Sequence, residues 1–283
     1  MIPESVNYFL TKHPTQTLNF RNKQISYISS GSGDSTVLCL LGAGQTPQSN
    51  FGMIEVLGSG YRVICPMIDD FDSVDQFCNA TINLLNHEGV DRFNIHGLSV
   101  GGLMAQSLIL RNPNRIDKVV LNHACTPNSQ TFRRNAVLPL LALEKVLPII
   151  PDNLIKFFAR NLAGRIQGVH KPSQYRDEWN QDSRNREMNN YFYYEWLDKY
   201  LNKRLLQTWC NLDVGFTREK LKVWPGKVSL INTGNDPLVG VDNNLLNLYP
   251  NAQRRIFHGT GHMTYFLQFG EVMKSVSDFF DKD

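Results

Sequence analysis

The sequence has no run of basic residues interleaved with aromatics and no zinc-type Cys/His spacing. That removes the usual signatures of a nucleic-acid binder and of a structural zinc module. A formal net charge of only +3 over 283 residues gives no strong field of one sign. No hydrophobic run is long enough to cross a bilayer. The longest, AVLPLLALEKVLPIIP from Ala136, is broken by Glu144, Lys145 and three prolines. The opening MIPESVNYFLTKHP lacks the basic start and long apolar core of a secretory signal. Cysteine is scarce and odd in number (Cys39, Cys65, Cys78, Cys125 and Cys210), at irregular spacing. Three of the five lie within or at the end of apolar runs, so reduced, mostly buried thiols in a reducing compartment are expected. A cytoplasmic protein without a membrane span is the default expectation.

Hydrophobic residues make up 42% of the chain, enough for one large domain or a core domain with an insertion. TVLCLLG, YRVICPM, RFNIHG, KVVLNHA and KVSLINTG are continuous apolar runs of the kind a strand buried on both faces requires. QRRIFHG is a weaker member, and QTLNFRNKQISYISSGSG reads as an antiparallel pair. SVDQFCNATINLLNHEG and SVGGLMAQSLILRNP carry apolar residues at helical spacing. The first opens at a candidate N-cap, Ser73, and the second ends before Pro113. This alternation predicts an α/β fold, a mostly parallel central sheet flanked by helices.

The alternation stops after His123 and resumes at Lys227. Between them the chain is aromatic, charged and helical in pattern, clearest in NNYFYYEWLDKYLNKRLLQTW. Residues 1–127 and 223–283 are therefore expected to form the core domain, with 128–222 a helical cap inserted over the sheet. The insertion holds 16 Lys/Arg and 10 Asp/Glu, a net of +6, which leaves 13 against 16, or −3, for the core. A basic cap over an acidic core would steer anionic substrates; solvated helix faces account for the same charges equally well.

Gly97-Leu98-Ser99-Val100-Gly101 fits G-x-S-x-G between an apolar strand and a helix. A serine raised out of a sheet on a tight strand-to-helix turn needs glycine two residues either side, where side chains would clash. The turn also sets the hydroxyl at a helix N-terminus, which favours developing negative charge. The serine still needs a base. His13 and His87 read as surface, His170 falls in the insertion, and His96 and His123 sit at strand ends, where they would border the pocket and read as packed, satisfied histidines rather than as the base. His262, in HGTGHMTYF after the last strand, is the candidate base, with His258 the runner-up.

Asp236 in LINTGNDPLVG is the candidate orienting carboxylate, although Asp before Pro is also a common turn residue. The order Ser99, Asp236, His262 matches one known arrangement of such groups. Asp69, Asp70, Asp72 and Asp75 offer a rival cation cluster, read here as a solvated helix start. Backbone donors for an oxyanion are expected from Val100 and, in LGAGQTPQS, from Ala43. Gly44, Leu98, His123 and Met263 are the candidate substrate contacts. Phe132, Tyr191, Tyr194 and Trp196 would shape an apolar pocket, or be ordinary cap core.

Through LLGAG, HGLSVGG, TGNDPLV and GTGHM the chain resembles the α/β-hydrolase superfamily, from about residue 18 to the C-terminus except for the cap. The resemblance implies the α/β-hydrolase fold, with Ser99 as nucleophile, Asp236 as acid, His262 as base, and Ala43 and Val100 as oxyanion donors. It implies no cofactor and no metal. Two departures stand out. Leu41-Gly42 replaces the usual His-Gly, and PMIDDFDSVDQF lacks the familiar Asp-x-x-Gly-x-Gly-x-Ser stretch. That segment and LYPNAQRR are similar to maspardin-type members, some of which look like binding proteins with incomplete triads. The expected activity is cleavage of a carboxylic ester or thioester through an acyl-enzyme. The partner is then a small-molecule acyl substrate, anionic or acyl-carrier-linked, and not nucleic acid; the protein would be a monomer or homodimer. The alternatives are a non-catalytic maspardin-like scaffold and a triad-dependent acyltransferase, C–C hydrolase or lyase/cyclase.

Overall fold

Strands that bury both faces need helices on both sides of the sheet, and β3 (Thr36–Leu40) and β5 (Phe93–Leu98) are buried at every residue. The computed structural model describes residues 2–126 and 224–282, apart from 22, 43–44, 68–70, 72 and 240–242. Between these two stretches it describes only 129, 134–135, 138, 149–151, 154, 184, 187–188 and 191–192. The expected α/β architecture is what forms. Eight strands make one sheet in the order β1-β2-β4-β3-β5-β6-β7-β8. The expected hairpin is β1 (Gln16–Phe20) with β2 (Lys23–Ser30), and β2 pairs antiparallel with β4 (Arg62–Pro66). Every other pairing is parallel, through β5, β6 (Ile116–Asn122), β7 (Lys227–Thr233) and β8 (Gln253–Phe257).

The chain leaves β3 for β4 on one side and then returns to lay β5 on the other. The strand order therefore reverses between β3 and β5, and the crevice at such a point, at the carboxyl ends of the strands, is where this class of sheet binds ligands.

Helices α1 (Glu4–Lys12), α2 (Phe51–Gly58), α3 (Val74–His87) and α4 (Val100–Arg111) cover the sheet, followed by α5 (Asn243–Leu248), α6 (Thr264–Leu267) and α7 (Phe269–Phe280). Ser73 caps α3 as expected, its hydroxyl accepting from the Gln76 amide at 3.1 Å. The C-terminal helical segment is split at Gln268 into α6 and α7. In α7 the spacing of Val272, Met273, Val276, Phe279 and Phe280 gives one buried stripe. Cys39, Cys65 and Cys78 are free thiols in the interior, Cys125 is buried as well, and Cys210 lies outside the described residues. No helix among the described residues is long and apolar enough to cross a membrane.

Most of the expected cap, 128–222, lies outside the described residues. Arg184, Met188 and Phe192 are described there and are helical. Phe192 is buried edge-on to Phe9 of α1, ring centroids 6.1 Å apart, and Arg184 grips Glu55 of α2 with two hydrogen bonds of 2.6 and 2.9 Å.

At the opposite end of the sheet the Glu88 carboxylate accepts from Tyr27 (2.6 Å), Ser29 (2.9 Å) and Arg62 (2.6 Å). It thus ties the end of α3 to β2 and β4. Glu88→Ala would leave Ser29 and Arg62 Nη2 without this acceptor and Tyr27 with only Gln16 Oε1, 3.1 Å away. A loss of about 1–3 kcal/mol is expected in urea unfolding; an unchanged midpoint would mean that the three bonds are surface decoration.

Candidate active site

The elbow at Ser99 is a strained turn. Ser99 has φ 53° and ψ −115°, in a positive-φ region that a non-glycine residue rarely adopts. Two bonds hold it: its amide donates to Asn122 O at 2.8 Å, and its carbonyl accepts from the Gly102 amide at 2.9 Å. The flanking glycines are there for space. A Cβ on Gly97 would stand 2.8 Å from Gly101 O; one on Gly101, 2.2 Å from Leu40 O; one on Gly102, 2.3 Å from Ala124 Cβ. The third contact was not expected from G-x-S-x-G alone, and Gly102 in the sequence is its trace. The same approach sets the start of α4 against the chain leaving β3.

His262 lies in a single turn, Gly261–Met263, between β8 and α6. Its Nε2 is 3.0 Å from Ser99 Oγ, although 163 residues separate them. Its Nδ1 is 2.7 Å from Asp236 Oδ2. Asp236 is buried in the turn after β7, and its Oδ1 accepts from the amides of Leu238 (2.9 Å) and Val239 (3.2 Å). Burial alone would push this carboxyl up. Attraction to His262, its hydrogen bond and that of the Val239 amide outweigh it and hold it below its ordinary value. A carboxylate on Nδ1 requires the proton there, which leaves Nε2 as the acceptor facing the serine hydroxyl. Val100 opens α4, and its amide, in the first helical turn, has no intrahelical acceptor.

Ser99, Asp236 and His262 are thus brought together. Ala43 and Gly44 lie outside the described residues, and so do Phe132, Tyr194 and Trp196. Leu98 is buried in the core, and Met263 is half-buried, next in sequence to His262. Tyr191 is half-buried edge-on to Phe192. Leu41, in place of the usual histidine, is buried in the core. The next residue is held from downstream: the Gly42 amide donates to Gln45 Oε1 at 2.9 Å.

Two expectations about histidines are corrected. His123 was expected against substrate. It is fully buried instead, both ring nitrogens bonded inside the protein, because positive φ (49°) at the end of β6 turns the chain there. His13 was expected at the surface. It is buried against Phe9 at 4.9 Å, its Nδ1 2.8 Å from Ser30 Oγ. His258 and His87 are exposed, and the histidine that contacts Ser99 Oγ is His262. Of the acidic cluster only Asp75 is described, and it is bonded to Arg111. Among the described residues no group of three or more His, Cys, Asp or Glu could hold a metal ion.

Sequence reading missed Gln45, Asn122, Thr233, Thr260 and Thr264. Asn122 and Thr233 each close an apolar strand run, and a polar residue buried at that place was the available signal.

A family model described as alpha/beta hydrolase fold matches residues 40–269. The 2-hydroxy-6-oxononadienedioate/2-hydroxy-6-oxononatrienedioate hydrolase 1 of Dechloromonas aromatica (strain RCB) is 30% identical over 123 residues, 38% of this chain and 43% of that protein. The match thus spans under half the length of that curated relative. The meta-cleavage product hydrolase CumD, from Pseudomonas fluorescens IP01, superposes with a TM-score of 0.68 at 21% identity, over 95% of this chain and 98% of its own. An alpha/beta hydrolase enzyme from a Medee basin deep-sea metagenome library gives a TM-score of 0.74 at 16% identity, over 95% and 98%. At these identities the solved structures speak to the fold alone.

The elbow geometry makes Gly101→Ala a sharp test. Its Cβ would meet two backbone carbonyls with no room to yield, so a loss of about 1–3 kcal/mol is expected in thermal or urea unfolding. Wild-type stability would show that the approach of β3 and α4 is looser than described. A second test is pH. Burial pushes His96 down to about 4; burial and the neighbouring His262 push His123 down to about 3. Both start from 6.5, so below that value the unfolded chain binds more protons than the folded one. Stability is therefore complete above about pH 6.5 and lost as pH falls towards 4 and 3. Each tenfold difference in proton affinity between the two states costs roughly 1.4 kcal/mol. Urea midpoints at pH 7.5, 6 and 5 should decline in that order; a flat series would contradict neutral burial of the two rings.

Proposed function

This chain belongs to the alpha/beta hydrolase family, and on that premise we propose that it is a serine hydrolase with Ser99 as nucleophile, acting on an ester or thioester. The single observation that carries the reading is the continuous contact Ser99–His262–Asp236, at 3.0 and 2.7 Å, on a fold whose crevice lies there. Ser99 Oγ attacks the acyl carbon while His262 Nε2 takes its proton. The carbonyl oxygen becomes an oxyanion facing the Val100 amide, with Ala43 as the expected second donor. Asp236, already ionised, stabilises the imidazolium without accepting its proton. The imidazolium then protonates the departing alcohol or thiol as the tetrahedral species collapses to an acyl-enzyme. Water, deprotonated by His262, repeats the addition at the acyl carbon. Ser99 Oγ leaves with the proton, and the acid is released. No cofactor or metal enters these steps. Residues 128–222 would form the cap over residues 1–127 and 223–283, and their basic surplus suits an anionic acyl substrate.

A second reading has a specific observation behind it. The curated relatives are named for 2-hydroxy-6-oxo-dienedioate substrates, and CumD for meta-cleavage products. Transferred to this chain, the reacting carbonyl would be a ketone, and the bond broken the neighbouring carbon–carbon bond of a doubly anionic substrate. The same histidine would then move the protons. A panel of p-nitrophenyl esters, acyl thioesters and a 2-hydroxy-6-oxo dienoic acid separates the readings by which substrate turns over.

The common premise is tested first. A fluorophosphonate probe is expected to label the wild type and not Ser99→Ala, and Ser99→Ala should lower turnover by about 10^4-fold or more. An unlabelled wild type, or equal labelling of Ser99→Ala, would leave a maspardin-like binding protein as the better account.

A further inference from the structure

A buried row of polar side chains runs beneath the triad, outside the three residues of the proposed mechanism. Asn122, at the end of β6, is its hub. Its backbone oxygen holds the Ser99 amide at 2.8 Å, its Oδ1 is 2.6 Å from His123 Nδ1, and its Nδ2 is 3.2 Å from His96 Nε2. His123 Nε2 is 2.7 Å from Thr233 Oγ1, at the end of β7. The Thr233 hydroxyl bonds that of Thr264, which bonds that of Thr260. Thr260 and Thr264 stand two residues before and two after His262. The imidazole of His123 also packs edge-on to that of His262, centroids 5.7 Å apart and planes at 89°.

The direction of this row follows from a count of donors. Asn122 Oδ1 can only accept, so His123 carries its proton on Nδ1 and presents a lone pair at Nε2. Each hydroxyl has one proton to give. The consistent assignment runs Thr260 to Thr264 to Thr233 to His123, then to Asn122 and His96. Thr264 then gives its proton to Thr233 rather than to Gly261 O, 3.0 Å away. All six side chains are essentially inaccessible to solvent, so each such bond is costly to leave unmade. His123 keeps a left-handed backbone at φ 49°, a conformation a bulky residue holds only where its surroundings impose it.

We propose that His123, through Thr233 and Thr264 and through ring contact, is a positioning residue for His262, holding the imidazole in line between Asp236 and Ser99. The assignment rests on the serine-hydrolase reading. His123 touches neither substrate nor reacting atoms. It fixes the plane of the base from below while Asp236 fixes it from the side. The Asn122 hub lets one element set the nucleophile's backbone and the base's ring together. The ionisable groups that face His262 from the elements packed against it are Asp236 and His123 among the described residues, and a neutral His123 leaves the imidazolium one partner charge and no rival.

The test uses the full chain. Thr233→Val removes one hydroxyl at nearly constant shape, Thr233→Ser restores it, and His123→Asn offers a polar residue that tolerates left-handed backbone. The readouts are the second-order rate of fluorophosphonate labelling at Ser99, and kcat and KM on p-nitrophenyl acetate. Thr233→Val and His123→Asn are expected to label about 10–100-fold more slowly and to lose kcat with KM little changed, the size of effect that a misaligned base gives. Thr233→Ser should recover most of the loss. In a His262→Ala background, Thr233→Val should cause no further slowing, because its effect passes through the ring already removed. Wild-type rates in Thr233→Val, an equal loss in the His262→Ala background, or no recovery in Thr233→Ser would overturn the assignment while leaving the nucleophile in place. An unlabelled wild type would instead remove the hydrolase reading, and this assignment with it.

Discussion

One imidazole bonds two groups that the chain keeps far apart. His262 reaches Asp236 through Nδ1 and Ser99 through Nε2, and neither partner lies on its own loop. The arrangement exists only because β5, β7 and β8 are parallel and end on the same edge of one sheet. Each delivers its group from the loop at its carboxyl end. The reversal of strand order between β3 and β5 opens the crevice beside Ser99. The fold thus supplies convergence, and the sequence at each strand end supplies the chemistry.

Convergence at that edge comes with strain and desolvation. Ser99 occupies positive φ, and three glycines around it let α4 press against β3 and the residues after β6. Asp236 carries a buried charge, tolerable because His262 and two amides match its oxygens. The polar row from Thr260 to His96 places further hydrogen-bonding groups beneath the crevice, where nearly every group has a partner. Apolar core lies around it: Phe93 and Ile95 along β5, Val119 and Leu121 along β6. A polar row bounded in this way has little freedom to rearrange, which suits an imidazole held in one orientation between two partners.

The strands and the three side chains that meet at the crevice were legible because each announces itself locally. Apolar runs mark buried strands, and the spacing of Gly97, Ser99, Gly101 and Gly102 encodes the clash that only glycine avoids. Asp236 and His262 follow strand-like runs in short turn segments. The supporting residues were not legible, since their meaning lies in contacts across the sheet. Nothing near His123 in sequence tells that Thr233, 110 positions later, will satisfy its second nitrogen. A strand-end histidine reads as pocket-facing until the backbone is seen to turn it inward. Gln45 was overlooked for a related reason. Its role is to occupy the amide of Gly42, and that contact arises only once the loop has closed.

The most direct test is the structure of the protein after reaction with a fluorophosphonate. The expected result is a single phosphorus–oxygen bond to Ser99 Oγ, the phosphoryl oxygen within hydrogen-bond distance of the Val100 amide, and His262 still bonded to Asp236. An adduct on another side chain, or one on Ser99 with His262 turned away from both partners, would contradict the account.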